Sequence, residues 1–233
     1  MNLRCCVACL FQKRRGVGLW GLGALLAAWI WSAHGAADYD KLLSTSVARW
    51  GNRMVAQVGQ WRNLIRVSTA AQELDRLNRV NNYFNQLMRF GEDSDIWGQT
   101  DYWATPMESL HRAAGDCEDF AIAKYYTLLQ TGVLPEKLRL TYVRAKLSDF
   151  QSPVPHMVLA YYEQPTAEPL ILDNLMPEIL PASRRGDLTP VFTFNSSGIF
   201  NGSAGTTPLQ AGGTSRYSKW EDLMRRARAE GFE

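Results

Sequence analysis

Residues 115–130 read Gly-Asp-Cys-Glu-Asp-Phe-Ala-Ile-Ala-Lys-Tyr-Tyr-Thr-Leu-Leu-Gln. From Phe120 onward the stretch is rich in helix-forming apolar residues, and Glu118 and Asp119 put negative charge in its first turn, where the helix dipole favours it. Gly132 and Pro135 mark its end. The pattern predicts a helix whose first turn carries Cys117. A thiol needs help to become a thiolate, and a helix N-terminus offers partial positive charge and free backbone N–H groups that can hold an oxyanion.

Upstream, residues 38–89 contain no proline and few breakers, and Leu74, Leu77, Val80, Phe84, Leu87 and Met88 recur at helical spacing. Two or three amphipathic helices are expected there, with Trp50 and Trp61 packed into the core. Residues 91–114 are acidic and aromatic, with Asp93, Asp95, Trp97, Asp101, Tyr102, Trp103 and Pro106, and read as an ordered loop leading to a short helix. Downstream, 139–146, 156–162 and 170–172 are β-like runs separated by turn residues. The fold class is therefore α+β, with N-terminal helices packed on an antiparallel sheet. Residues 195–215 are rich in Gly, Ser and Thr and read as a surface loop, and Ser218 with Glu221 has the form of a capping box for a short terminal helix. No internal repeat is present.

At the N-terminus Lys13, Arg14 and Arg15 precede an apolar run from Val17 to Trp31 and the small residues Ala33 and Gly35. That is the order of a secretory signal, expected over residues 1–35 and cleaved after Gly35, with an uncleaved anchor as the alternative. The Arg14-Arg15 pair alone gives little support to twin-arginine export. The mature domain is then 36–233, of a length suited to one core. Nothing in its near balance of acids and bases suggests nucleic acid or an anionic membrane surface as the main partner. Cys5, Cys6 and Cys9 leave with the signal, so Cys117 becomes a lone thiol in an oxidising compartment, either buried and inert or put to use.

A thiol nucleophile needs a base, and His111 and His156 are the histidines of the mature chain. His111 precedes Cys117 by six residues and reaches it only if the connection folds back. His156 opens a strand-like run in which alternation places it on one face with Val158 and Ala160, a rigid mount for an imidazole. It is the stronger candidate. Asp173 ends the next run, 170–172, where a hairpin brings its carboxylate alongside His156 to fix the tautomer. Singly, each residue has an ordinary structural explanation; together they make a Cys–His–Asp set.

The stretch Asp101-Tyr-Trp-Ala-Thr-Pro-Met-Glu-Ser-Leu110, Gly115-Asp-Cys-Glu-Asp119, His156 and Asp173-Asn174 resembles the bacterial transglutaminase-like cysteine proteinases, in their adhesin-cleaving periplasmic branch. The resemblance spans the mature domain to about Phe194 and implies a papain-like, transglutaminase-like fold. It implies an endopeptidase that cuts a large outer-membrane-anchored adhesin near its N-terminus at a paired-alanine site, releasing it and dispersing biofilm. It further implies Ca2+ dependence, a periplasmic location, and sequestration by an inner-membrane receptor for cyclic-di-GMP.

The calcium expectation has separate physical support. Asp116, Glu118 and Asp119 crowd negative charge around Cys117, which opposes thiolate formation unless a hard cation offsets it. The plain alternative is that these acids only favour the helix N-terminus. Trp103 and Tyr102 are candidates either for the groove beside the thiol or for the core. The Cys117 N–H is expected to form half of an oxyanion hole, and its second donor has no assignment. Rival functions are a peptidoglycan endopeptidase or amidase, true transglutamination, and a non-enzymatic exported binding module with a buried thiol.

Overall fold

From Asp119 to Leu128 every residue of the helix opened by Cys117 is buried. A helix apolar on all sides must be packed on all sides, and the chain is arranged to do this. The computed structural model describes residues 37–201, 208–209 and 215–232; the expected signal lies outside the described residues. The chain first forms α1 (Tyr39–Trp50), α2 (Arg53–Thr69) and α3 (Glu73–Leu87). A short strand β1 (Arg89–Phe90), a single turn α4 (Asp93–Ile96), α5 (Pro106–Arg112) and β2 (Ala114–Gly115) lead into α6 (Cys117–Gln130). The sheet strands follow as β3 (Leu138–Ala145), β4 (Val154–Tyr161), β5 (Leu170–Leu172), β6 (Leu180–Pro181), β7 (Leu188–Asn195), β8 (Gly198–Asn201) and β9 (Pro208–Leu209), and α7 (Ser215–Glu230) closes the described chain.

Local chemistry explains these boundaries. Thr105 caps α5 with a full capping box, accepting from the Glu108 N–H while the Glu108 carboxylate accepts from the Thr105 N–H, and Pro106 occupies the first turn. Helix α6 ends where Gly132 takes φ +88 and the Val133 N–H returns to the Leu128 carbonyl, a geometry that suits glycine.

Among the described residues the strands form a seven-stranded sheet in the order β6-β5-β4-β3-β7-β8-β9, each strand antiparallel to its neighbours. Alternation sorts its faces. Leu138, Leu140, Tyr142, Met157, Leu159, Tyr161 and Leu172 join the helices in the main core, while Val143, Val158, Ala160, Tyr162 and Ile171 form a smaller cluster on the other face. The expected α+β arrangement of helices on an antiparallel sheet is the one observed.

Several local expectations change. Leu74 is exposed at the start of α3, whereas Leu77, Val80 and Phe84 are buried. Strand β7 escapes a pattern reading because Pro190 interrupts it; the pairing register shifts between Tyr142 and Val143, and this irregularity accommodates the proline. Part of the expected 195–215 loop is strand, since β8 pairs with β7. Helix α7 begins at Ser215, which puts Ser218 inside it and not at a cap. Its Trp220, Leu223 and Ala227 are fully buried, so this segment completes the core.

Helix α7 also brings Glu230 against Glu108. Glu230 accepts from the Thr105 hydroxyl at 2.9 Å, and Arg49 reaches both carboxylates. Burial pushes the Glu230 carboxyl up to about 7, and Glu108 adds to the rise against the pull of Thr105, Arg49 and Arg226. Because this is above its ordinary value of 4.5, the folded state holds the extra proton and stability falls as pH rises from about 4.5 to about 7. Denaturant unfolding at pH 5 and pH 8 is expected to show Glu230→Gln losing less stability than wild type over that interval, by on the order of 2 kcal/mol.

Candidate active site

Asp116 is the N-cap of α6, its Oδ1 accepting from the N–H groups of Glu118 at 3.2 Å and Asp119 at 3.4 Å. The cap fixes the first turn, and Cys117 lies on it, half-buried and the one cysteine among the described residues. The thiol donates to Glu118 Oε2 at 2.8 Å. Burial first, then the charges of Glu118 and Asp116, hold the Cys117 thiol well above its ordinary range. The backbone of Met157 opposes that rise, and β4 packs against α6.

His156 is buried on β4, on the sheet face shared with Val158 and Ala160. Its Nε2 hydrogen-bonds Asp173 Oδ1 at 2.8 Å, which leaves Nδ1 free of that carboxylate. Asp173 follows β5 directly and is held from several sides. Leu175 N–H donates to Oδ1 at 3.1 Å, Arg185 Nη2 to Oδ2 at 2.7 Å, and Asn85 Nδ2 to the backbone carbonyl at 2.8 Å. Burial would raise the Asp173 carboxyl, but His156, Arg185 and the Leu175 N–H together bring it down to about 2. Asp173 thus favours its ionised form facing an imidazole, the arrangement of an orienting carboxylate.

His111 stands apart from this constellation. It stacks on Trp50 at 4.8 Å with Arg53 against its ring nitrogens, and burial with the nearby arginines lowers its pKa to about 4. Trp103 is a core residue, buried and stacked on Phe194 at 5.7 Å. Tyr102 turns its hydroxyl to Glu108.

A second feature lies beside the thiol. Asp93, Asp116 and Asp119 present carboxylate oxygens within 4.8 Å of one another. Asp119 is fully buried, accepting from Ala104 N–H at 2.8 Å and Trp97 Nε1 at 3.1 Å. Asp93 Oδ2 accepts from Tyr102 N–H, while its Oδ1 is buried without a hydrogen-bond partner. Burial raises all three carboxyls, Asp93 to about 6, and their neighbours' charges press in the same direction. An all-oxygen donor set with an unsatisfied buried oxygen has the chemistry that a hard cation takes.

Of the acids singled out in the sequence, Asp116 and Asp119 belong to this group, whereas the Glu118 carboxylate lies against the thiol. Asp93 was outside the sequence selection, as were Arg185 and Asn85. So was Lys124, whose buried Nζ has no hydrogen-bond partner; burial lowers it to about 7 against the pull of Asp173. Gly115 has a steric reason, because a Cβ there would lie 2.5 Å from the Asp119 Cβ and 2.9 Å from the Met88 Cε.

Residues 53–186 match the family model described as bacterial transglutaminase-like cysteine proteinase. The chain belongs to this family. Among solved structures it is similar to LapG of Legionella pneumophila, at 36% identity and TM-score 0.66, covering 81% of this chain and 97% of that one. The calcium-bound form of that LapG matches at 35% identity and TM-score 0.68, covering 81% and 98%. Its EGTA-treated form gives 35% and 0.68, covering 81% and 97%. No curated protein matches. The chain is therefore a cysteine proteinase of the transglutaminase-like fold, and the matched region runs from α2 to Gly186, taking in Cys117, His156, Asp173 and Arg185.

Two expectations follow for this proteinase. Gly115→Ala is expected to destabilise the fold by about 1–3 kcal/mol in urea unfolding, because Asp119 and Met88 must both give way. Arg185→Gln is expected to lower kcat by about 10- to 100-fold with little change in KM, as loss of an outer partner does. It should also move the acid limb of the pH–kcat profile upward, since Asp173 loses a donor that holds it ionised.

Proposed function

We propose that this chain is a calcium-dependent periplasmic cysteine endopeptidase that cleaves the N-terminal region of a large surface adhesin at a paired-alanine site. The observation that carries the reading is Cys117 on the first turn of α6 beside the Asp93–Asp116–Asp119 carboxylates, with the buried His156–Asp173 pair carried by β4, the strand packed against that helix. The likeness to Legionella LapG over nearly the whole of that chain supports it.

In this reading Cys117 Sγ, as thiolate, attacks the peptide carbonyl carbon and the tetrahedral adduct collapses to a thioester as the C–N bond breaks. His156 delivers its proton to the leaving amine, then takes one from the water that hydrolyses the thioester. Asp173, favoured as the anion by His156 and Arg185, holds the imidazole in orientation. The Cys117 N–H is placed at the helix terminus to serve as one oxyanion donor. Asp93, Asp116 and Asp119 are the residues that would hold calcium, with Glu118 adjoining. When bound, the ion supplies positive charge that offsets the acids pressing on the thiol.

Residues 1–35 serve as the export signal, which puts the proteinase in the periplasm. Adhesin release there promotes biofilm dispersal, and an inner-membrane receptor sequesters the enzyme when cytoplasmic cyclic-di-GMP is high.

The test is cleavage of a purified adhesin N-terminal fragment by residues 36–233, with calcium and with EGTA, alongside Cys117→Ala. A discrete cut lost in the variant and under EGTA is expected. Cutting that persists under EGTA discards the calcium assignment and keeps the protease. No cutting by folded, calcium-loaded enzyme, together with digestion of purified peptidoglycan, moves the assignment to a cell-wall hydrolase.

A further inference from the structure

The segment Tyr102-Trp103-Ala104 links the two buried acids of the carboxylate group. Tyr102 N–H donates to Asp93 Oδ2 at 2.5 Å and Ala104 N–H donates to Asp119 Oδ1 at 2.8 Å. Those two donors lie two residues apart, flanking Trp103, so the path of the backbone at Trp103 bears on where both carboxylates stand. Asp93 belongs to the turn α4 and Asp119 to α6, and the chain between them runs through this loop, α5 and β2.

One side chain fixes that peptide. Arg226, on α7, donates from Nη2 to the Trp103 carbonyl at 2.5 Å and from Nη1 to the Tyr102 hydroxyl at 3.0 Å. Nη1 also reaches Glu108 Oε2 at 2.8 Å, and Nε reaches Asp222 at 2.8 Å on the preceding turn of the same helix. The guanidinium lies over the Tyr102 ring at 4.8 Å. A planar fork with all its nitrogens engaged sets both distance and orientation, which a lysine ammonium cannot do for several acceptors at once. Tyr102 and Glu108 complete the frame, the hydroxyl donating to the carboxylate at 2.9 Å, and Arg49 holds the opposite oxygen of Glu108.

We infer that Arg226 is a positioning residue for the metal site: from the C-terminal helix, beyond the residues matched to the family, it holds the 102–104 backbone so that Asp93 and Asp119 converge with Asp116. The inference rests on the calcium reading proposed above. Arg226 is in none of the metal or nucleophile sets, and its effect passes entirely through the loop backbone.

Two measurements on residues 36–233 test it. Calcium binding is followed by titration calorimetry in wild type, Arg226→Lys, Arg226→Ala and the exposed control Arg225→Ala. Amide hydrogen exchange is followed in the calcium-free proteins. The expected result is at least a fivefold weaker Kd for calcium in Arg226→Lys, with faster exchange at Tyr102 and Ala104 and unchanged exchange in the middle of α6. Arg225→Ala is expected to match wild type. Arg226→Lys keeps a cation opposite Glu108, so it tests the idea even if Arg226→Ala fails to fold. Wild-type calcium affinity in a folded Arg226→Lys protein, or loosened exchange throughout α6 and α7 with Kd unaltered, would make Arg226 a packing residue only and overturn the inference. Absence of calcium binding by wild type sinks the calcium reading itself and this inference with it.

Discussion

Buried negative charge at one helix end is the constraint on which the rest of the site depends. Asp93, Asp116 and Asp119 converge within 4.8 Å, and Glu118 accepts from the thiol beside them. Two unit charges at that separation repel by about 3–4 kcal/mol even at an effective dielectric constant of about 20. The protein answers with donors: the N–H groups of Tyr102, Ala104, Glu118 and Asp119 and the Trp97 indole all point at these carboxylates. Neutral donors lessen the penalty without cancelling the charge, and burial still drives the carboxyls upward. The thiol shares this environment and is pushed the same way. Its readiness to ionise is therefore governed by its burial and by whatever balances the acids, more than by the helix terminus on which it sits.

Asp173 shows the opposite outcome for the same side chain. It too is buried, but Arg185 and the His156 imidazole face its two oxygens, and its carboxyl falls to about 2. One site thus holds aspartates whose surroundings drive them apart, which is how like groups come to serve unlike roles. His156 first and then Arg185 make the difference, and Arg185 is itself fixed by Asp187 at 3.0 Å through Nε. The dyad is assembled on the sheet face turned away from the main core, while the carboxylate group is assembled on the helical side. Strand β4, which carries His156, packs against α6, which carries Cys117, Asp119 and the Asp116 cap. Neither half is complete without packing of α6 against β4.

What could be read beforehand was what is local in the chain. Cys117 at a helix start follows from the acidic first turn and the apolar run behind it, and His156 with Asp173 follows from strand alternation and hairpin reach. Asp93 was illegible because it comes from a separate turn in an acidic stretch, where nothing marks it out from Asp95 or Asp101. Arg185 was illegible for a similar reason, since its neighbour Arg184 offers the same chemistry and only tertiary packing buries one of them. Strand β7 was hidden by Pro190, a residue that argues against a strand unless the pairing is irregular at that point, as it is. The Asp-Cys-Glu-Asp motif suggested that its own acids form the ion group, yet adjacent residues on a helix point in different directions, and Glu118 turns to the thiol instead.

The C-terminal helix carries this reasoning a step further. Its polar sequence gives little warning of burial, yet Trp220 packs edge-on against Tyr125 of α6 and Phe194 of β7. That apolar seam orients α7 so that Arg226 and Glu230 meet Glu108 at the start of α5, where Arg49 arrives from α1. Both ends of the described chain thus close on one buried glutamate, which is also the capping partner of Thr105 and the acceptor for Tyr102. Buried charge of this kind contributes modestly to net stability, but removing one partner strands the others, so it specifies geometry strongly. The loop at 102–104 takes its place from that network and passes it to Asp93 and Asp119. The acids beside the thiol are therefore set by the closure of the whole domain and not by the motif alone.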